Sequence, residues 1–65
     1  MRKPERLYGF YSELTRVHIE HFPDLRFGQF VESFMHWIRN AKERDPFFLE
    51  EPAMLDLLHE YVEEK

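Results

Sequence analysis

The stretch Phe27 to Ala41, FGQFVESFMHWIRNA, constrains this chain more than any other. Phe27, Phe30, Val31, Phe34, Trp37, Ile38 and Ala41 recur at helical spacing and fall within an arc of roughly 120° on a helical wheel. Three phenylalanines and a tryptophan on one face make a stripe that has to be covered by other elements. The spacing therefore predicts the central helix of a small helical domain.

Sixty-five residues make one domain. A chain this short buries only about 60% of the surface its unfolded form exposes, so it needs dense packing or some other support. It has no cysteine, which removes disulfides and thiolate metal sites from the options. Dense packing and self-association remain. Seven Phe, three Tyr and one Trp suit the first, because each buried aromatic removes about 150–250 Å² from water.

On either side of the aromatic stripe the pattern is also helical. From Pro4 to Phe22, Leu7, Phe10, Tyr11, Leu14, Val17, His18 and His21 share one face, while Glu5, Gly9, Ser12, Glu13, Arg16 and Glu20 share the other. Tyr8 and Ile19 lie outside that stripe, with Thr15 between them. Pro23 ends this helix by pushing Phe22 away from the α region. Asp24 then suits an N-cap for the next helix, and so short a corner predicts that the two helices are neighbours. Gly28 falls in the first turn, off the stripe, where it either lets another backbone or side chain come close or is an indifferent surface glycine. Met35 lies at the stripe's margin.

Asp45-Pro46 is a turn signal, with Asp45 as its cap. At least two of Phe47, Phe48 and Leu49 are expected to plug the end of the core. Pro52 suits the start of a last helix, where Glu50 and Glu51 complement its positive end. Met54, Leu55, Leu57, Leu58, Tyr61 and Val62 cover an arc of roughly 160°, more than a single helix contact needs. The expectation is thus an all-α fold of three helices, at about 4–22, 25–42 and 52–64, joined through a short turn or 3-10 segment at 45–50.

Charge excludes more than it identifies. The net charge is −4. Residues 1–42 carry seven Lys/Arg against five Asp/Glu, and residues 43–65 carry two against eight. An acidic chain is a poor binder of polyanions, since phosphate neutralisation supplies most non-specific affinity. The second helix offers Arg39 and Lys42, with Arg26 at its start, as cations for a nucleic-acid reader; the third offers mostly acids. The N-terminus lacks the apolar run of a signal peptide, and no stretch approaches a membrane span. The expected setting is the cytoplasm.

His18-Ile19-Glu20-His21 places two histidines at i and i+3, a spacing that can ligate a metal from one helix face. Two ligands are too few for zinc, so a third would have to come from elsewhere, for example His59 or Glu60. Both histidines also fall in the apolar stripe of their helix, which favours packing over ligation. There is no Gly-rich phosphate loop and no nucleophile–His arrangement, and both serines, Ser12 and Ser33, lie mid-helix. No catalytic residue and no cofactor is expected. The apolar surplus at Tyr8, Ile19, Met35 and Leu57 points instead to a protein partner or a second copy, with Arg26 and Gly28 as further surface candidates.

Two blocks, PDLRFGQF at 23–30 and DPFFLEEPAMLDLLHEY at 45–61, complete the pattern. Together with the leading helix they resemble a family of small uncharacterised proteins, with no established activity, found in bacteria and in phages and plasmids of Gram-positive hosts. That family shows Pro-Asp-aromatic/Leu-Arg-Phe-Gly-Gln, then Asp-Pro-Phe-Phe/Tyr, an acidic pair and a Leu-rich last helix. This chain departs from it at Pro52-Ala53, where a further acid is expected. The resemblance implies a short helical protein of cytoplasmic or mobile-element origin and supplies no catalytic residues.

Overall fold

The computed structural model describes residues 2–65 and contains three α-helices: α1 (Arg6–His21), α2 (Phe27–Ala41) and α3 (Glu51–Glu64). A three-residue 3-10 turn, Pro46–Phe48, precedes α3. The all-α, three-helix fold expected from periodicity is the fold observed.

Local chemistry sets each boundary. The N–H groups of Leu7 and Tyr8 bond the carbonyls of Pro4 and Glu5, both at 3.1 Å, which winds the chain into α1. Phe22 leaves helical geometry at φ −136°, ψ 46°, next to Pro23. The Leu25 N–H then bonds the Phe22 carbonyl at 3.1 Å, and this turn delays α2. The N-cap is consequently Arg26, two residues later than the Asp24 expected. Its side chain cannot accept a hydrogen bond; instead the Arg26 backbone N–H donates to Oε1 of Gln29 at 2.8 Å. At the far end of α2, Glu43 takes a left-handed conformation, φ 54°, and the Arg44 N–H returns to the Ile38 carbonyl at 3.2 Å. Asp45 caps the 3-10 turn as expected, accepting from the Phe47 N–H at 2.9 Å.

Polar side-chain contacts between the helices report the topology. Arg6 meets Glu51 at 2.8 Å and His59 meets Glu13 at 2.6 Å, so α1 and α3 advance in the same direction. Trp37 Nε1–H donates to Glu64 at 3.1 Å while Lys42 reaches Glu60 at 2.7 Å, so α2 and α3 run antiparallel. The backbones of α1 and α3 make the most extensive approach. α1 and α2, despite their short corner, meet mainly through side chains near it, with His18 stacked on Phe30 at 4.6 Å and Phe22 on Phe30 at 5.4 Å.

The core is Val17 from α1, Phe30, Phe34, Trp37 and Ile38 from α2, and Leu57, Leu58 and Tyr61 from α3. Tyr61 joins the aromatic rings, with centroids 5.6 Å from Phe22, 5.3 Å from Phe34 and 5.2 Å from Trp37. Burial pushes its phenol pKa above the ordinary value. The wide apolar arc of α3 has a structural cause, since α3 is packed from one side by α1 and from another by α2. Leu57, expected on an outer surface, is only 4% exposed and belongs to this core. Met35 is partly buried and packs against it.

Three apolar expectations are corrected. Phe27 sits in the middle of the stripe's arc yet is exposed, because α3, running antiparallel, ends opposite Trp37 and never reaches the level of Phe27. Tyr11 lies about 120° around α1 from Val17 and faces outward. Phe47 and Phe48 are both exposed. In a 3-10 turn residues i and i+3 eclipse, so only one direction faces the core, and Pro46 and Leu49 occupy it.

Candidate functional site

Exposed apolar side chains gather along one side of α1. Tyr8 is 79% exposed, Tyr11 57% and Ile19 64%; Phe27, from the first turn of α2, is 66% exposed. Positions 4, 8, 11, 15 and 19 advance by three or four residues, so Pro4, Tyr8, Tyr11, Thr15 and Ile19 form a continuous second stripe on the helix. At its N-terminal half Leu7 and Ser12 border a shallow groove with Tyr8 and Tyr11. At its C-terminal half a small crevice between Tyr11, Thr15, Ile19 and Phe27 opens onto His18 and Phe30. The stripe has no charged residue; Glu5 and Arg16 flank it.

The helix presents this face because its other sides are occupied. Val17 is fully buried, and Leu14 packs against the core. On the side toward α3, Arg6 and Glu13 hold Glu51 and His59. Arg16 makes a bidentate contact with Glu13, both bonds at 2.8 Å, and also reaches Glu20 at 2.8 Å. Hydrogen bonds from Arg16 and then from His59 hold the Glu13 carboxyl down at about 2, against an ordinary 4.5. Among the described residues nothing covers the outer side.

The remaining candidates are placed as follows. His18 is half-buried against Phe30, and its Nε2 lies 2.7 Å from the Leu25 carbonyl oxygen. It serves as a pin for the corner between α1 and α2. His21 is exposed at the end of α1. His59 is paired with Glu13, and Glu60 with Lys42. Among the described residues no three His, Asp or Glu side chains come together in a way that could hold a metal ion. Arg26 and Gly28 are exposed beside Phe27, and a Cβ built on Gly28 would meet nothing within 4 Å. Among the described residues nothing approaches that glycine closely, and it sits open on the surface.

A second exposed apolar feature lies at the opposite edge of α1. Phe47 and Phe48 pack on each other, with centroids 4.9 Å apart. They stand beside the Arg2–Glu50 and Arg6–Glu51 pairs. Tyr8 and Ile19 were visible in the sequence as residues off the main stripe. Tyr11 and Phe27 were hidden, because each also fits the periodicity of a core face. The second stripe at 4, 8, 11, 15 and 19 was the signal that could have found Tyr11.

Compared with known proteins, the chain matches no family model, no curated protein and no solved structure. The class defined by its own geometry is an all-α three-helix domain with an uncovered aromatic helix face. No helix among the described residues is long and apolar enough to cross a membrane.

Proposed function

We propose that this protein is a non-catalytic protein–protein interaction module whose working surface is the outer face of α1 and the start of α2. The observation that carries this reading is the contiguous row of Tyr8, Tyr11, Ile19 and Phe27, each more than half exposed. Scattered apolar residues on a surface are ordinary, but a contiguous row of large ones marks a contact region. Tyr and Phe supply broad contact area at low conformational cost, which is why they dominate binding hot spots. The resemblance to small bacterial, phage and plasmid proteins brings no activity with it; it suggests the cytoplasm as the setting.

The test is a pair of exposed substitutions, Tyr8→Ser with Ile19→Ser. Neither side chain is part of the core, so the unfolding free energy from urea titration should stay within about 0.5 kcal/mol of wild type. Association should be lost, whether measured as self-association by sedimentation or as retention of another protein on an immobilised bait. Association that survives the double substitution unchanged refutes the assignment of this surface.

A further inference from the structure

We infer that the partner of this face is a second copy of the chain, docked antiparallel through α1 about a two-fold axis near residues 13 and 14. The inference rests on the interaction reading above and specifies its partner. Area is the first argument. A compact monomer of 8.1 kDa exposes about 4,500 Å², whereas this chain exposes 5002 Å². The exposed parts of Tyr8, Tyr11, Ile19 and Phe27 amount to something on the order of 500 Å². With Pro4, Ser12, Thr15 and the stems of Glu5 and Arg16 at the rim, the face approaches the roughly 800 Å² per partner of a standard stable interface.

Symmetry is the second argument. A two-fold interface must be complementary to itself. In an antiparallel pair of helices, contacting positions have a constant sum. A sum of 27 sets Tyr8 against Ile19 of the second copy, Ser12 against its Thr15 and Tyr11 against the stem of its Arg16, so the two apolar ends of the stripe meet each other. Phe27, seated beside Thr15 and Ile19, comes level with Tyr11 of the second copy.

Charge is the third argument and selects the direction. A parallel pair would stack Glu5 on its own copy and Arg16 on its own copy, which is unfavourable for like charges at helical contacts. The antiparallel arrangement separates Glu5 from its copy by about 25 Å along the axis and Arg16 from its copy by about 7 Å. It also leaves the uncharged stripe to form the seam.

The absence of cysteine makes the geometry directly testable. A disulfide requires Cα atoms within about 7 Å. In the antiparallel pair, position 8 lies about 16 Å along the axis from its own copy. Under mild oxidation, Thr15→Cys should therefore cross-link to itself and Tyr8→Cys should not. A mixture of Tyr8→Cys and Ile19→Cys should give the mixed disulfide. By sedimentation, wild type at about 100 µM should show twice the monomer mass, and Tyr8→Glu with Ile19→Glu should return it to monomer with unchanged helical circular dichroism. Phe47→Ser with Phe48→Ser should remain dimeric.

Three outcomes overturn the inference. The first is a wild type that stays monomeric at about 500 µM, a concentration that an interface of this area should saturate. The second is self-cross-linking at position 8 as well as at 15, which would mean a parallel pair with each position against its own copy. The third is loss of the dimer on substituting Phe47 and Phe48, which would mean head-to-tail contact. A monomeric wild type whose immobilised form retains another protein, released by Tyr8→Glu with Ile19→Glu, overturns the second copy and leaves the α1 surface standing.

Discussion

Phe27 and Phe34 provide a controlled comparison within one helix. They are the same residue type, two turns apart, on the same arc of the same periodic stripe. Phe34 is 1% exposed and Phe27 66%. The Phe34 ring lies 5.3 Å from that of Tyr61 and 6.3 Å from that of Trp37, so truncation leaves a cavity and also removes two aromatic contacts. Phe34→Ala should therefore cost about 3–5 kcal/mol. A 65-residue domain has roughly 3–10 kcal/mol in total, so the variant should be largely unfolded or close to it at room temperature. Phe27→Ala should cost under about 1 kcal/mol, mostly from changes in the unfolded state and at the first helical turn. The assay is urea unfolding followed by far-ultraviolet circular dichroism and by Trp37 fluorescence. With a slope near 1 kcal/mol per molar urea, the two midpoints should differ by about 2–4 M. Equal midpoints would refute the claim that α3 covers only the later turns of α2.

Three further outcomes are expected. Glu43 holds a left-handed backbone at φ 54°, so Glu43→Gly should raise stability by up to about 1 kcal/mol, read as a higher urea midpoint. Gly9 is exposed inside α1 with no atom within 4 Å of an added Cβ; Gly9→Ala should stabilise by about 0.5–1 kcal/mol, and a loss would show that the space is occupied. Acid should weaken the fold. The Glu13, Glu50 and Glu51 carboxyls are all held below their ordinary value, by Arg16, Arg2 and Arg6 respectively. A depressed carboxyl contributes stability that is complete above its unfolded pKa and is lost as pH falls through its folded one. For Glu13 that window runs from about 4.5 down to about 2, and Glu13→Gln should flatten the pH dependence of the urea midpoint across it.

The helices were legible because their signals are local. Periods of three and four, Pro23 after Phe22, Asp45 before Pro46 and Pro52 after two acids each act within a few residues. What the pattern could not supply was which part of each apolar stripe would find a covering partner. Phe27 and Phe34 are indistinguishable on a wheel, and only the length and direction of α3 separate them. Leu57 is superfluous on a wheel that allows α3 one neighbour, whereas two helices pack on it. Phe47 and Phe48 looked like a plug, because three successive apolar residues conceal the fact that a 3-10 turn aims just one side inward. The working surface was half visible for a related reason. Tyr8 and Ile19 violate the core pattern and stand out, while Tyr11 satisfies it and is exposed all the same.

The way α1 is held links the fold to the proposed interface. α1 contributes a single fully buried side chain, Val17, to the core, and the Arg6–Glu51 and Glu13–His59 contacts at the surface add to its hold on α3. Exposed pairs of this kind are worth at most about 1 kcal/mol each. α1 thus buries the fewest side chains of the three helices, and it is also the one with the uncovered aromatic face. A second copy on that face would bind the folded chain and not the unfolded one, so it adds stability by mass action. Each tenfold rise in concentration above the dissociation constant is worth about 1.4 kcal/mol per dimer, half of that per chain. Across a hundredfold range the gain is about 1.4 kcal/mol per chain, or roughly 5–10 °C in the thermal midpoint of a domain this size. Tyr8→Glu with Ile19→Glu should abolish that dependence while leaving the low-concentration midpoint nearly unchanged. A wild-type midpoint that is the same at about 5 and 500 µM would mean that α1 is secured from within, and that its aromatic face adds nothing to the fold through self-association.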